Sequence, residues 1–123
     1  MLVPPVLGKS CVDSENLIHS RSMSFQQITP AQLHAMRQAD APCILVDVRT
    51  DPEVMRGMID GARHIVLPSL PGNVDSLPFD QDVVFYCQSG ARSAQACMWF
   101  AAQGGRRVYN LQGGILAWMR EGY

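Results

Sequence analysis

The chain has 123 residues, 47% of them hydrophobic, with ten Lys and Arg against eleven Asp and Glu for a net charge of −1; this is enough for one domain with its own core. The near-zero charge argues against a nucleic-acid face or attachment to an anionic membrane surface, and no apolar run reaches the length of a membrane span. Four cysteines without a C-x-x-C pair, and only three histidines, argue against a zinc or other metal site and fit a reducing, cytoplasmic compartment.

Residues 1–22 mix Pro4-Pro5, Gly8 and several serines without a sustained period, and lack the basic start, longer apolar region and cleavage site of a secretory signal. They are expected to form a disordered tail or a non-native extension. Met23 is then a candidate first residue, Cys11 an incidental exposed thiol, and residues 23–123 the domain. Phe25 to Ile28 reads as a short strand. Thr29-Pro30 is a helix start, a capping hydroxyl followed by proline where its missing N–H costs nothing. Leu33, Met36 and Arg37 follow at helical spacing to about Ala39. Cys43 to Val48 is an apolar run broken only by Asp47, as in a strand buried on both faces. Asp51-Pro52-Glu53 repeats the cap-then-proline signal and opens a short helix ending near Gly57. His64 to Leu67 reads as a third strand, and the proline-rich Pro68 to Asp80 as loop.

Val83 to Tyr86 reads as a fourth strand. Ala94, Cys97, Met98 and Ala101 then fall on one helical stripe, closed by Gly104-Gly105. Arg107 to Leu111 is a fifth strand, and Gly113-Gly114 turns the chain into a last helix carrying Ile115, Leu116 and Trp118 toward the core. This alternation predicts an α/β fold, an about five-stranded, mostly parallel sheet with helices on both faces. In such sheets ligands bind beyond the carboxyl ends of the strands, where Cys87 falls.

Cys87-Gln88-Ser89-Gly90-Ala91-Arg92-Ser93 is the segment that carries chemistry. A strand feeds a thiol, then a short loop, then a helix start. Unpaired N–H groups and the partial positive charge of a helix N-terminus favour the thiolate, which is the nucleophile. Gly90 admits a backbone angle that other residues resist, so the loop amides can converge on one point. Arg92 adds a permanent forked cation, and Ser93 offers a hydroxyl either to sulfur or to the helix end. Asp47 and Arg49 close a buried strand near the same sheet edge and are expected to brace the loop by hydrogen bonds or an ion pair. Cys43 and Cys97 are read as free core thiols, His34 and His64 as structural or exposed, and Trp118 as core.

The chain resembles the single-domain rhodaneses, a family of thiosulfate and persulfide sulfurtransferases, over residues 24 to the end. Four stretches carry the resemblance, in order and at the family's spacing: Leu45-Val46-Asp47-Val48-Arg49 with Glu53 and Gly57; Asp60-Gly61-Ala62; Cys87 to Ser93; and Asn110-Leu111-Gln112-Gly113-Gly114 with Ala117-Trp118. The family's G-H-I-P-G-A is replaced by Gly57-Met58-Ile59-Asp60-Gly61-Ala62, without the histidine and proline. The resemblance implies a rhodanese-like fold and a ping-pong cycle through a Cys87 persulfide. The amides of Gln88 to Ser93 would hold the outer sulfur, and Arg92 would orient an anionic donor. It further implies small donors (thiosulfate or low-molecular-weight persulfides), thiol or cyanide acceptors, a sulfur-carrier protein as an added partner, and no cofactor beyond the covalent persulfide. A monomer suffices for this chemistry.

Two other functions share these parts. Cysteine-dependent phosphatases and arsenate reductases also place an arginine after the cysteine, but five residues lie between the two. Only Gln88, Ser89, Gly90 and Ala91 intervene here, a smaller ring that suits a single sulfur atom, and Tyr86 stands where many of those enzymes have histidine. A non-catalytic rhodanese-like interaction module in a sulfur relay is the other alternative, disfavoured by the presence of Cys87.

Overall fold

The computed structural model describes residues 24–40 and 43–123. The expectations for residues 1–22, for Cys11 and for Met23 lie outside the described residues. Five strands, β1 (Gln26–Ile28), β2 (Ile44–Asp47), β3 (Arg63–His64), β4 (Asp82–Tyr86) and β5 (Arg107–Leu111), form one sheet in the order β1-β5-β4-β2-β3. Every pairing is parallel. The helices are α1 (Pro30–Gln38), α2 (Asp51–Met55), α3 (Ala91–Ala102) and α4 (Gly114–Arg120). The α/β architecture with a five-stranded parallel sheet is as the sequence predicts.

β4 is the central strand, and its side chains alternate between two cores because successive residues of a strand point to opposite faces. Val83, Phe85 and Cys87 join one core with Val46, Val108, Ala96, Cys97 and Phe100. Val84 and Tyr86 join the other with Leu33, Leu45, Leu111, Ile115 and Trp118. α3 therefore covers one face, and α1 with α4 the other. The same alternation that buries Phe85 delivers the Cys87 side chain to the α3 side of the sheet.

Local signals account for most element boundaries. Thr29 caps α1: its hydroxyl accepts from the Gln32 amide at 3.1 Å, and the Gln32 side chain accepts from the Thr29 amide at 2.8 Å, a reciprocal capping box. For α2 the cap is Thr50 rather than Asp51. The Glu53 carboxylate accepts from both the amide and the hydroxyl of Thr50 at 3.0 Å, leaving Asp51 as the first helical residue. β3 is shorter than expected, because only Arg63 and His64 pair with β2. The segment expected as loop carries two 3-10 helices, Leu67–Ser69 and Pro71–Ser76. Proline at the start of each loses no needed donor, and single i→i+3 turns tolerate a spacing too irregular for an α-helix.

Two expected core residues face water: Met98 is 45% and Leu116 47% exposed. The buried stripe of α3 is Ser93, Ala96, Cys97, Phe100 and Ala101. It is set by Phe100, which packs edge-on to Phe85 at 5.7 Å. In α4, Ile115 and Trp118 take the core positions. Among the described residues, no helix is long and apolar enough to cross a membrane.

Candidate active site

The loop between Cys87 and α3 is three residues long. α3 begins at Ala91, directly after Gly90, whose φ is +108°. Only Gln88, Ser89 and Gly90 bridge strand-end Cys87 to the helix, so Arg92 and Ser93 lie in the first helical turn. Cys87 is buried, yet its sulfur faces donors rather than hydrocarbon alone. The Gly90 amide donates to Sγ at 3.1 Å and the Ser93 hydroxyl at 3.4 Å. Burial pushes the thiol pKa up. The Ser93 hydroxyl and the amides of Ser93, Gly90 and Ser89 outweigh it, and the net result lies below the ordinary thiol value. Hydrogen bonds to the charged form favour that form.

The loop is oriented from behind. Its Cys87 carbonyl accepts from the Ile115 amide at 2.9 Å and its Gln88 carbonyl from the Leu116 amide at 3.2 Å. The Gly90 carbonyl accepts from the Asn110 side chain at 3.1 Å and the Ala94 amide at 3.2 Å. With these carbonyls turned toward α3, α4 and β5, the amides of Ser89, Gly90 and Ser93 are left to act on the sulfur. Gly114 permits this approach. A Cβ there would lie 2.2 Å from the Gln88 carbonyl oxygen and 2.6 Å from that of Cys87. Asn110, buried in β5, also donates to Gln27 at 3.1 Å. Asn110 and Gly114 stand in the C-terminal signature, but their contact with the loop is not readable from spacing.

Arg92 is engaged by Glu53 in a two-pronged pair, with 2.8 Å from each terminal nitrogen to a separate carboxylate oxygen. The side chains are 37% and 22% exposed. Glu53 is held well below the usual carboxylate range, first by Arg92 and then by the Thr50 amide. The one cation of the loop is thus offset by a carboxylate supplied from α2. Glu53 is a site residue that the sequence reading placed only in a signature.

Asp47 and Arg49 pair with each other. The guanidinium meets Asp47 at 2.8–3.1 Å and the Gly57 carbonyl at 2.7 Å, and lies over the Tyr86 ring at 5.8 Å. His64 donates through Nε2 to the Arg49 carbonyl at 2.7 Å. Both partners of the pair are buried. They tie the end of β2 to the turn after α2 rather than bracing the Cys87 loop, to which their side chains form no hydrogen bond. In that turn the Ile59 amide donates to the Tyr86 hydroxyl at 2.9 Å, which seats Gly57 to Ala62 on the sheet without the family's histidine and proline. We expect Asp47→Asn to lower stability by about 2 kcal/mol, because a buried guanidinium loses its counter-charge while keeping one acceptor. The shift of the urea midpoint measures this, and an unchanged midpoint contradicts it.

Cys97 lies in the core, where burial raises its pKa well above the ordinary value. Burial also raises that of half-buried Cys43. His34 is exposed and stacks on Tyr123 at 4.6 Å. Among the described residues no group of His, Cys, Asp or Glu is arranged to hold a metal ion.

Residues 29–121 match the rhodanese-like domain family. A sulfurtransferase of Allochromatium vinosum is 49% identical over 79 residues, 64% of this chain and 74% of that protein. The thiosulfate sulfurtransferase GlpE of Stutzerimonas stutzeri is 36% identical over 94 residues, 76% of this chain and 84% of that one. The crystal structure of a rhodanese-like domain protein from Staphylococcus aureus superposes with a TM-score of 0.72 at 32% identity, covering 76% of this chain and 91% of that one.

Proposed function

This chain belongs to the rhodanese-like domain family, and from that premise we propose that it is a sulfurtransferase working through a Cys87 persulfide. In the first half-reaction the Cys87 thiolate attacks the outer, sulfane sulfur of thiosulfate or a low-molecular-weight persulfide. A sulfur–sulfur bond forms to Cys87, the donor's own sulfur–sulfur bond breaks, and sulfite or a thiolate leaves with the electron pair. In the second, an acceptor thiolate or cyanide attacks the outer sulfur and releases the Cys87 thiolate. A sulfur-carrier protein is an acceptor of the same chemistry. The cycle needs no resident cofactor, is complete in one monomer and suits the cytoplasm.

The observation that carries this reading is the set of donors on Cys87 Sγ. The Gly90 amide and Ser93 hydroxyl stabilise an anionic sulfur, and in the proposed cycle the loop from Gln88 to Ala91, with Arg92, would hold the second sulfur. Preorganised amides aimed at a charge need little rearrangement during reaction. The test is direct. Thiosulfate should add one sulfur atom to the protein by intact mass, and cyanide should remove it as thiocyanate. Phosphate-ester hydrolysis without sulfur loading would overturn the assignment.

The lowered Cys87 pKa has a definite sign in a pH profile. A depressed pKa keeps the thiolate populated as pH falls, so the acid limb of sulfur loading should lie below the ordinary thiol value of roughly 8.5. Ser93→Ala removes one stabilising donor and should move that limb upward by roughly one pH unit. A limb that stays in place would show that the hydroxyl does not set the stability of the thiolate.

A further inference from the structure

A cleft of about 500 Å³ opens beside the sulfur loop at Gln88, between the turn after α2 and the outer face of α4. Its apolar wall is Met58, Ile115, Leu116, Trp118, Met119 and Tyr123. Three of these leave large apolar area in water: Leu116 is 47%, Met119 64% and Tyr123 45% exposed. Tyr123 is fixed against Trp118 at 4.9 Å between ring centroids, so the wall is built rather than loose. The volume falls in the range of small-molecule sites, which are mostly apolar with a few polar groups. At the loop end of the cleft stands Glu53 with both oxygens on Arg92. An arriving dianion therefore meets an Arg92 already paired, Arg49 in the same wall is paired with Asp47, and the other charged groups of the wall, Arg56 and Asp60, are one of each sign.

We propose that this cleft binds the leaving portion of a carbon-bearing sulfur donor, an apolar body with at most one negative charge, and that Glu53 disfavours small inorganic dianions. The proposal rests on the sulfur-transfer reading above and names its donor class. Such a donor places its sulfane sulfur over Cys87 and its hydrocarbon along Leu116, Trp118 and Met119. For a thiosulfonate, the Cys87 thiolate takes the sulfane sulfur, the donor's sulfur–sulfur bond breaks, and a sulfinate leaves with the electron pair, so two negative charges are present before and after.

Benzenethiosulfonate, methanethiosulfonate and thiosulfate, with cyanide as common acceptor, separate body from charge. The expected order of kcat/KM is benzene over methane over thiosulfate. A Leu116→Glu, Met119→Glu double variant should lower the ratio of the benzene to the methane compound about tenfold, through KM. Both sites are exposed, so the fold should tolerate the charges; circular dichroism and Cys87 sulfur loading by mass check this for each variant. Glu53→Gln keeps a capping-box side chain at that helix position and should raise kcat/KM for thiosulfate several-fold relative to the benzene compound. An unchanged benzene-to-methane ratio in the double variant, or an unchanged thiosulfate preference in Glu53→Gln, overturns the proposal while sulfur transfer itself stands. Failure of all three donors to load Cys87 removes both readings.

Discussion

Cys87→Ser should abolish sulfur loading and thiocyanate formation while leaving the fold intact. A hydroxyl has nearly the same shape as the thiol, and the Gly90 amide and Ser93 hydroxyl can still donate to it. It is not ionised near neutral pH, and it cannot form the sulfur–sulfur bond on which the cycle depends. No other described thiol can take over. Cys97 is buried in the core, where its hydrogen-bond partner is the Tyr109 carbonyl at 3.3 Å, and burial disfavours its thiolate. Cys43 is likewise shifted upward by burial. Intact mass after thiosulfate treatment, with circular dichroism as the fold control, reads this out. Stoichiometric loading of the serine variant would place the reactive sulfur elsewhere.

Gly114→Ala should cost about 3 kcal/mol, a fall in Tm of roughly 15 °C for a domain of this size. The added Cβ would lie 2.2 Å from the Gln88 carbonyl oxygen and 2.4 Å from its carbon, at a φ of +64°. Both obstacles are backbone, so no side-chain rotation relieves them, and the left-handed conformation adds strain of its own. Relief requires the sulfur loop to move away from α4, releasing the Cys87 and Gln88 carbonyls. Activity should therefore fall further than the fraction of folded protein does. Gly72→Ala is the control: its Cβ would meet nothing within 4 Å, and its Tm should not fall. An equal response at both glycines would contradict the packing argument.

The parallel sheet was legible because its strands, covered on both faces, appear as continuous apolar runs, and Thr29-Pro30 and Gly113-Gly114 mark helix ends by local chemistry. What escaped was set by partners distant in sequence. Arg92 reads as a free cation until α2 brings Glu53 to it from 39 positions away. Asn110 reaches the Gly90 carbonyl from 20 positions away, and no local spacing encodes that meeting. Met98 and Leu116 sit at plausible helical spacing, yet larger neighbours decide which face is buried. Phe100 turns α3, and Ile115 with Trp118 turns α4, so the two methionine and leucine positions face outward. The prolines between Pro68 and Pro78 suggested open loop, since a short 3-10 turn leaves no periodic signature.

The backward-facing carbonyls of the sulfur loop have a consequence for ionic strength. By sorting its peptide groups, with the Cys87 and Gln88 oxygens toward α4 and the Ser89 and Gly90 hydrogens toward the sulfur, the chain creates a positive field without lodging an unpaired side-chain charge beside it. Fixed dipoles packed in protein are little screened by mobile ions, unlike exposed cations. Added salt should thus leave the chemical step almost untouched, and whatever salt dependence appears will belong to the approach of the donor.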